Sequence, residues 1–164
     1  MFLAQRVAVI FAPLRNLGQA IAALVQNTGF NSPSGWDQIP SWTNGVVGQG
    51  EITVTTDGAG RGASQIVPTM TPGRYHKAKV TVTGANEGLV LVGASTDPAT
   101  EVDLAMTSLS AGTYEQDFIP RSTSRGVGLS SQTPTQAVKY DRVLVELVTS
   151  NNYGYNYGQG YGDA

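Results

Sequence analysis

Between residues 29 and 149 the chain is a succession of short β-like runs, each closed by Gly, Pro, Asp-Gly or Ser-Thr clusters, with no helical pattern among them. The runs read GWDQIPSW, GEITVTTD, GASQIVP, RYHKAKVTVTG, GLVLVGAS, EVDLAMTSL, GTYEQDFIP, RGVGLSS and AVKYDRVLVELV. Apolar residues alternate in several: Ile52 with Val54, Ala78 with Val80 and Val82, Tyr114 with Phe118. Period-two alternation marks strands with one buried face. Eight or nine such strands without intervening helices predict an all-β fold, an antiparallel sandwich of jelly-roll type.

The last run contains a fault in its own pattern. Val138 and Tyr140 set one parity inward, whereas Val143, Val145 and Leu147 set the other. A strand cannot change face without an extra residue, so a β-bulge is expected at Asp141-Arg142.

Two further zones flank the β-region, giving boundaries at 1–28, 29–149 and 150–164. In the first, Leu3, Val7, Ile10, Leu14, Leu17, Ile21 and Leu24 recur at alternating spacings of four and three, an apolar heptad seam. Ala4, Ala8, Phe11, Ala22 and Val25 widen the stripe, which suits three or more helices, or a groove on another protein, better than a two-stranded seam. Pro13 is favourable in the first turn of a helix and disruptive further in. A helix is therefore expected from Pro13 to Gln26, with residues 2–12 either helical or an extended arm. The seam reads either as a helix packed on its own domain or as an anchor burying its stripe against other chains. Arg6, Pro13, Arg15 and Asn16 interrupt the apolar run, so neither a membrane span nor a cleaved signal is expected. The third zone, SNNYGYNYGQGYGDA, is a Gly/Tyr/Asn tail with four of the seven tyrosines. Alone it lacks the aliphatic residues to form a core, so it is expected to pack against protein, above all a neighbouring subunit.

Composition narrows the function. Charged residues are 13% of the chain and there are 20 glycines, so the surface is built from Ser, Thr, Asn, Gln and Gly. The net charge of −2 argues against a nucleic-acid partner. The charge is uneven: residues 1–36 carry Arg6 and Arg15 and no acid, and the remainder is acidic. Without cysteine there is no disulfide framework and no thiolate chemistry.

Catalytic signals are weak. His76, the one histidine, shares the parity of Ala78 and Val80 and reads as a buried structural residue. GAGRGA, Gly58 to Ala63, matches a dinucleotide-binding pattern, but that pattern needs a helix after it, and SQIVPTMTPG follows. It is expected to form a glycine-rich hairpin. Aromatic rings offer another chemistry, because ring faces stack on sugars beside hydrogen-bonding groups. Trp42, Tyr75 and Tyr114 are the candidate glycan contacts, whereas Trp36 reads as a core plug.

NTGFNSPSGW, MTPGRYHKAKVTVTG, and LSAGTYEQDFIPRSTSRGVGLSS leading into VKYDRVLVEL follow one another in an order that resembles the carbohydrate-binding-module-like, galactose-binding-like jelly rolls, over about residues 27–148. Such domains accompany glycanases and occur in bacteriophage virion proteins as decorations, fibres and adhesins. In sugar-binding members the first and last strands lie side by side, a structural calcium often joins them, and an aspartate at the closing bulge contributes. The resemblance thus implies a calcium at Asn31 and Asp141, although those members often carry glutamate where Asn31 stands. Without the ion, Asp141 is expected to accept backbone N–H groups left open by the bulge.

These signals lead to a non-enzymatic structural virion protein: an anchored homo-oligomer, a trimer above other states, which contacts other virion proteins and projects a jelly roll. The alternative is a glycan-binding module for cell-surface polysaccharide. No cofactor beyond the calcium is expected.

Overall fold

The computed structural model describes residues 23–25, 28–32 and 34–148. Leu3, Val7, Ile10, Leu14, Leu17 and Ile21 of the seam, and the tail, lie outside the described residues. Nine strands are present among the described residues: β1 (Gly45–Gly48), β2 (Glu51–Thr55), β3 (Ala63–Val67), β4 (His76–Val82), β5 (Gly88–Ala94), β6 (Leu104–Leu109), β7 (Gly112–Phe118), β8 (Arg125–Ser131) and β9 (Ala137–Leu147). They form two antiparallel sheets, in the orders β1-β2-β9-β4-β7 and β3-β8-β5-β6. Only β1–β2 and β5–β6 are consecutive strands within one sheet. The other described connections cross between sheets, which closes the jelly roll around one core.

The inward parity of each strand fills that core. Ile52, Val54, Val80, Val82, Val138 and Val145 face Ala63, Val67, Val90, Val92, Val127 and Leu129. β-branched side chains suit this pleated, buried surface. Trp36 is buried in the same cluster, its ring 5.3 Å from that of Phe30.

β9 contains the bulge its sequence calls for. Thr81 pairs with Arg142 and Val82 with Tyr140, so Asp141 is the extra residue and the inward parity passes from Tyr140 to Val143. The bulge also marks a change of neighbour. Before it, residues 137–140 pair with β2. After it, Val143 N donates to Thr28 O (3.1 Å) and Leu24 N to Val145 O (2.8 Å). The N-terminal segment therefore supplies the missing hydrogen bonds with its own backbone. Asp141 is exposed and makes no hydrogen bond or ion pair among the described residues. The expectation that its carboxylate would accept the open amides is corrected on that ground.

Three other expectations are corrected. Residues 23–25 are not helical; Val25 is buried in the core and Leu24 packs against it, so the last seam residue contacts its own domain. GWDQIPSW is not a strand. Asp37 has φ 59°, and Ile39 and Trp42 form a tight bridge across Pro40. In its place GVVG forms β1, joined to β2 through Gln49 (φ 47°) and Gly50 (φ 87°), the two positive values of a type I′ hairpin turn. GAGRGA is a turn, closed by Asp57 N to Arg61 O (3.0 Å), but not a hairpin, because β2 and β3 lie in different sheets.

Ile39 to Trp42 instead cover part of the outer face of the second sheet. Ile39 and Trp42 pack on Leu91 there, with Ile66, Leu89 and Val102 around them. Gly128 makes room, since a β-carbon on it would lie 2.8 Å from Trp42 Cζ3. Asp37 ties this cover to both sheets. Burial raises its carboxyl above the usual range, and hydrogen bonds from the backbone of Gly45 and Ser64 partly offset the shift.

Candidate functional site

With part of the second sheet covered, the outer face of the first sheet is the broad polar surface of the domain. Lys77, Lys79 and Thr81 project from β4 at the parity opposite to His76, Ala78 and Val80. Register sets their neighbours: Lys77 stands between Asp117 of β7 and Glu146 of β9, and Lys79 beside Glu115. Lys79 Nζ lies 2.6 Å from Glu115 and Lys77 Nζ 3.3 Å from it. The hydrogen bond from Lys79, then that from Lys77, hold the Glu115 carboxyl below its ordinary range. Thr81 and Thr113 hydroxyls meet at 3.0 Å. This is a flat field of paired charges and hydroxyls.

Tyr75 stands at one end of this field. It precedes His76, so alternation gives it the face of Lys77, and it is 55% exposed. Its carbonyl accepts Val148 N at 2.9 Å, which holds the β4–β9 ladder to its end. Ile119, exposed as well, lies one step beyond the His76–Phe118 pair on β7. An aromatic ring flanked by an amine and two carboxylates can stack on the apolar face of a sugar while its neighbours bond the hydroxyls.

The other expected contacts lie elsewhere. Trp42 is 1% exposed and its Nε1 donates to Asp97 Oδ1 at 3.0 Å, so its ring faces are closed to a ligand; this corrects its assignment as a glycan contact. Tyr114 is half-buried against the core, its hydroxyl donating to Ser110 O at 3.1 Å. The structure does not bring it to the face that holds Tyr75.

His76 is buried beside the Phe118 ring. Its Nδ1 bonds Arg74 O (3.0 Å) and its Nε2 takes Thr71 N (3.4 Å). Both nitrogens are engaged, and burial lowers its pKa, outweighing the Arg74 bond. It is a structural histidine. Asn31 and Asp141 are both exposed, and among the described residues no three of His, Asp and Glu gather as a metal site. A calcium needs six or more oxygens, usually with several carboxylates; one carboxylate and one amide do not fit it.

One buried cluster has no signature in the local sequence. Arg125 Nε lies 2.6 Å from Asp103 Oδ2 with both side chains closed to solvent, an ion pair without an aligned hydrogen bond. Arg125 also donates to the Glu101 carbonyl, and Arg121 Nε approaches Asp103 Oδ1 at 3.3 Å. The pair holds the loop before β6 to the start of β8. An alternation of basic and acidic residues on β4 and β7 was the available signal for the outer field, and it becomes a site only through strand register.

Comparison with protein-family models and with curated proteins found no match. Solved structures do match in fold. The CBM22-1 xylan-binding domain of Paenibacillus barcinonensis Xyn10C aligns with a TM-score of 0.51 at 15% identity, over 80% of this chain and 97% of that one. The CBM22-1–CBM22-2 tandem of the same protein gives 0.51 at 16% identity, over 80% of this chain and 47% of that one. The CBM22-1–GH10 modules of Clostridium thermocellum xylanase 10B, complexed with xylohexaose, give 0.50 at 15% identity, over 83% and 30%. The chain thus spans nearly all of a single module and less than half of the multi-module chains. The domain is a jelly-roll sandwich similar in fold to these carbohydrate-binding modules. At these identities the likeness to the CBM22 modules is one of fold.

Proposed function

We propose that the domain is a non-catalytic glycan-binding module whose contact surface is the outer face of the five-stranded sheet. Tyr75 is the stacking ring; Lys77, Asp117 and Glu146 bond the sugar hydroxyls. The observation that carries this reading is the 55% exposure of Tyr75 on a polar field, in a sandwich whose opposite outer face is partly covered by Trp42 and Ile39. The fold likeness to modules that bind xylan supports it. The test is affinity electrophoresis of the full chain through gels containing soluble polysaccharides, both neutral and acidic. At least one should retard the protein, and retardation by none removes the reading.

A second reading concerns where the module works. The seam from Leu3 to Ile21 contains no acidic residue, and a stripe that wide is best buried between chains. The backbone bond from Leu24 to Val145 joins the segment to the sandwich without a spacer. These features support a virion protein that anchors and trimerises through the seam and projects the jelly roll outward. Replacing Leu17 and Ile21 with aspartate should abolish oligomers and particle incorporation while the β-domain stays folded. Retained mass and incorporation would contradict it.

A further inference from the structure

A concave feature lies at the far end of the same sheet from Tyr75. A depression of about 470 Å³ opens where the start of β1 meets the end of β2, lined by Thr43, Asn44, Val46, Thr55, Thr56 and Asp57 among others. Thr55 pairs with Ala137, whereas Tyr75 lies beside Val148, so the two features stand at opposite ends of β9. At about 3.3 Å per residue they are separated by roughly 30 Å.

Several polar groups of this depression are not consumed by the fold, although Thr56 Oγ1 is, accepting Ser131 N at 2.8 Å. Asn44 Nδ2 donates to Arg61 O (3.1 Å), which leaves Oδ1 to accept. Asp57 Oδ1 takes the amides of Ala59 and Arg61, both at 2.9 Å, which leaves Oδ2. The hydroxyls of Thr43 and Thr55 make no hydrogen bond among the described residues. Val46, 71% exposed, supplies an apolar wall. Four oxygen groups of the lining residues thus keep bonding capacity beside one small apolar surface, a composition suited to a compact polar ligand.

The lining also selects the ligand's charge. It holds no Lys, Arg or His, which disfavours an anion, and one carboxylate, which is too few for a calcium. The volume is also far larger than a bare cation fills. We propose that this depression is a second binding site, independent of the Tyr75 surface, that takes a single neutral pyranose unit by hydrogen bonds from its hydroxyls.

The test is amide chemical-shift mapping on the full chain, with D-xylose, D-glucose, D-galactose and D-mannose added separately to saturation. At least one sugar should shift the amides of residues 43–46 and 55–57. The Thr43→Val/Thr55→Val variant should weaken that response about tenfold, the equivalent of one or two hydrogen bonds, with its other resonances unmoved. Tyr75→Ala should leave the response intact, which separates this site from the one proposed above. No shift at these amides with any of the four sugars overturns the proposal. So does a response that the double variant retains, or one produced by calcium chloride instead of sugar.

Discussion

The hydroxyl of Tyr140 occupies the space that a side chain at Gly88 would need: a β-carbon there would lie 2.6 Å from it. Tyr140 reaches across the core from β9 in one sheet to β5 and β8 in the other. Its oxygen accepts Leu89 N at 3.0 Å and donates toward Ser130 O. Burial raises its pKa far above the ordinary tyrosine value, so the hydroxyl remains a donor. Tyr140→Phe strands the Leu89 amide and should cost about 1–3 kcal/mol in urea unfolding. Gly88→Ala should cost a similar amount through overpacking, roughly 1–3 kcal/mol. Unchanged midpoints in both variants would show that this link between the sheets contributes nothing.

Asp141 separates the bulge from its side chain. Since the carboxylate is exposed and unbonded among the described residues, Asp141→Ala should change stability by less than about 0.5 kcal/mol. Deleting the residue should also be mild, because Arg142 would then follow Tyr140 directly and Val138, Tyr140, Val143 and Val145 would all keep the inward parity in one regular ladder. Thermal melts of the two variants side by side check this, and a deletion that unfolds the domain would refute the register argument.

The bulge shows what could be read from the residues alone. Alternation in β2, β4 and β9 is strict enough to reveal a parity change, and the structure places the extra residue at Asp141. β1 carries little signal in the sequence because GVVG is short and uncharged, with a glycine at each end, and exists as a strand through the turn at Gln49-Gly50. Trp42 reads as a ligand contact because the packing of a cover loop on a sheet leaves no local mark; its partners Leu91 and Asp97 are distant in sequence. The candidate surface was half visible. Tyr75 is an obvious ring, but the placement of Lys77, two residues on, between Asp117 and Glu146 depends on which strands pair with β4.

The buried ion pair predicts a non-additive pattern. Arg125→Met leaves Asp103 charged and buried with the exposed Arg121 as its partner, and should cost about 3 kcal/mol or more. Adding Asp103→Leu should recover part of that loss, because no uncompensated charge remains. Urea unfolding of the two single variants and the double checks it; a double variant as unstable as the sum of the singles would contradict the pairing.

His76 gives a pH dependence of defined sign. Its folded pKa lies below the ordinary 6.5, so the unfolded chain binds the proton more readily. Its stabilising contribution is complete above that pH and is lost as pH falls from there toward the folded value. The melting temperature should therefore decline below about pH 6.5, and His76→Gln should flatten that part of the profile relative to wild type. Glu115 and Asp37 are unchanged in both proteins, so the difference isolates the imidazole. Parallel profiles would contradict the assignment.

The central claim is that Tyr75 and its polar neighbours form the glycan-contacting face. Titration calorimetry of the full chain and of Tyr75→Ala, against the polysaccharide that retards the wild type most, tests it directly. Loss of one stacked ring should weaken binding about tenfold or more, at an unchanged melting temperature. Equal affinity in the two proteins would place the binding surface elsewhere and overturn the account.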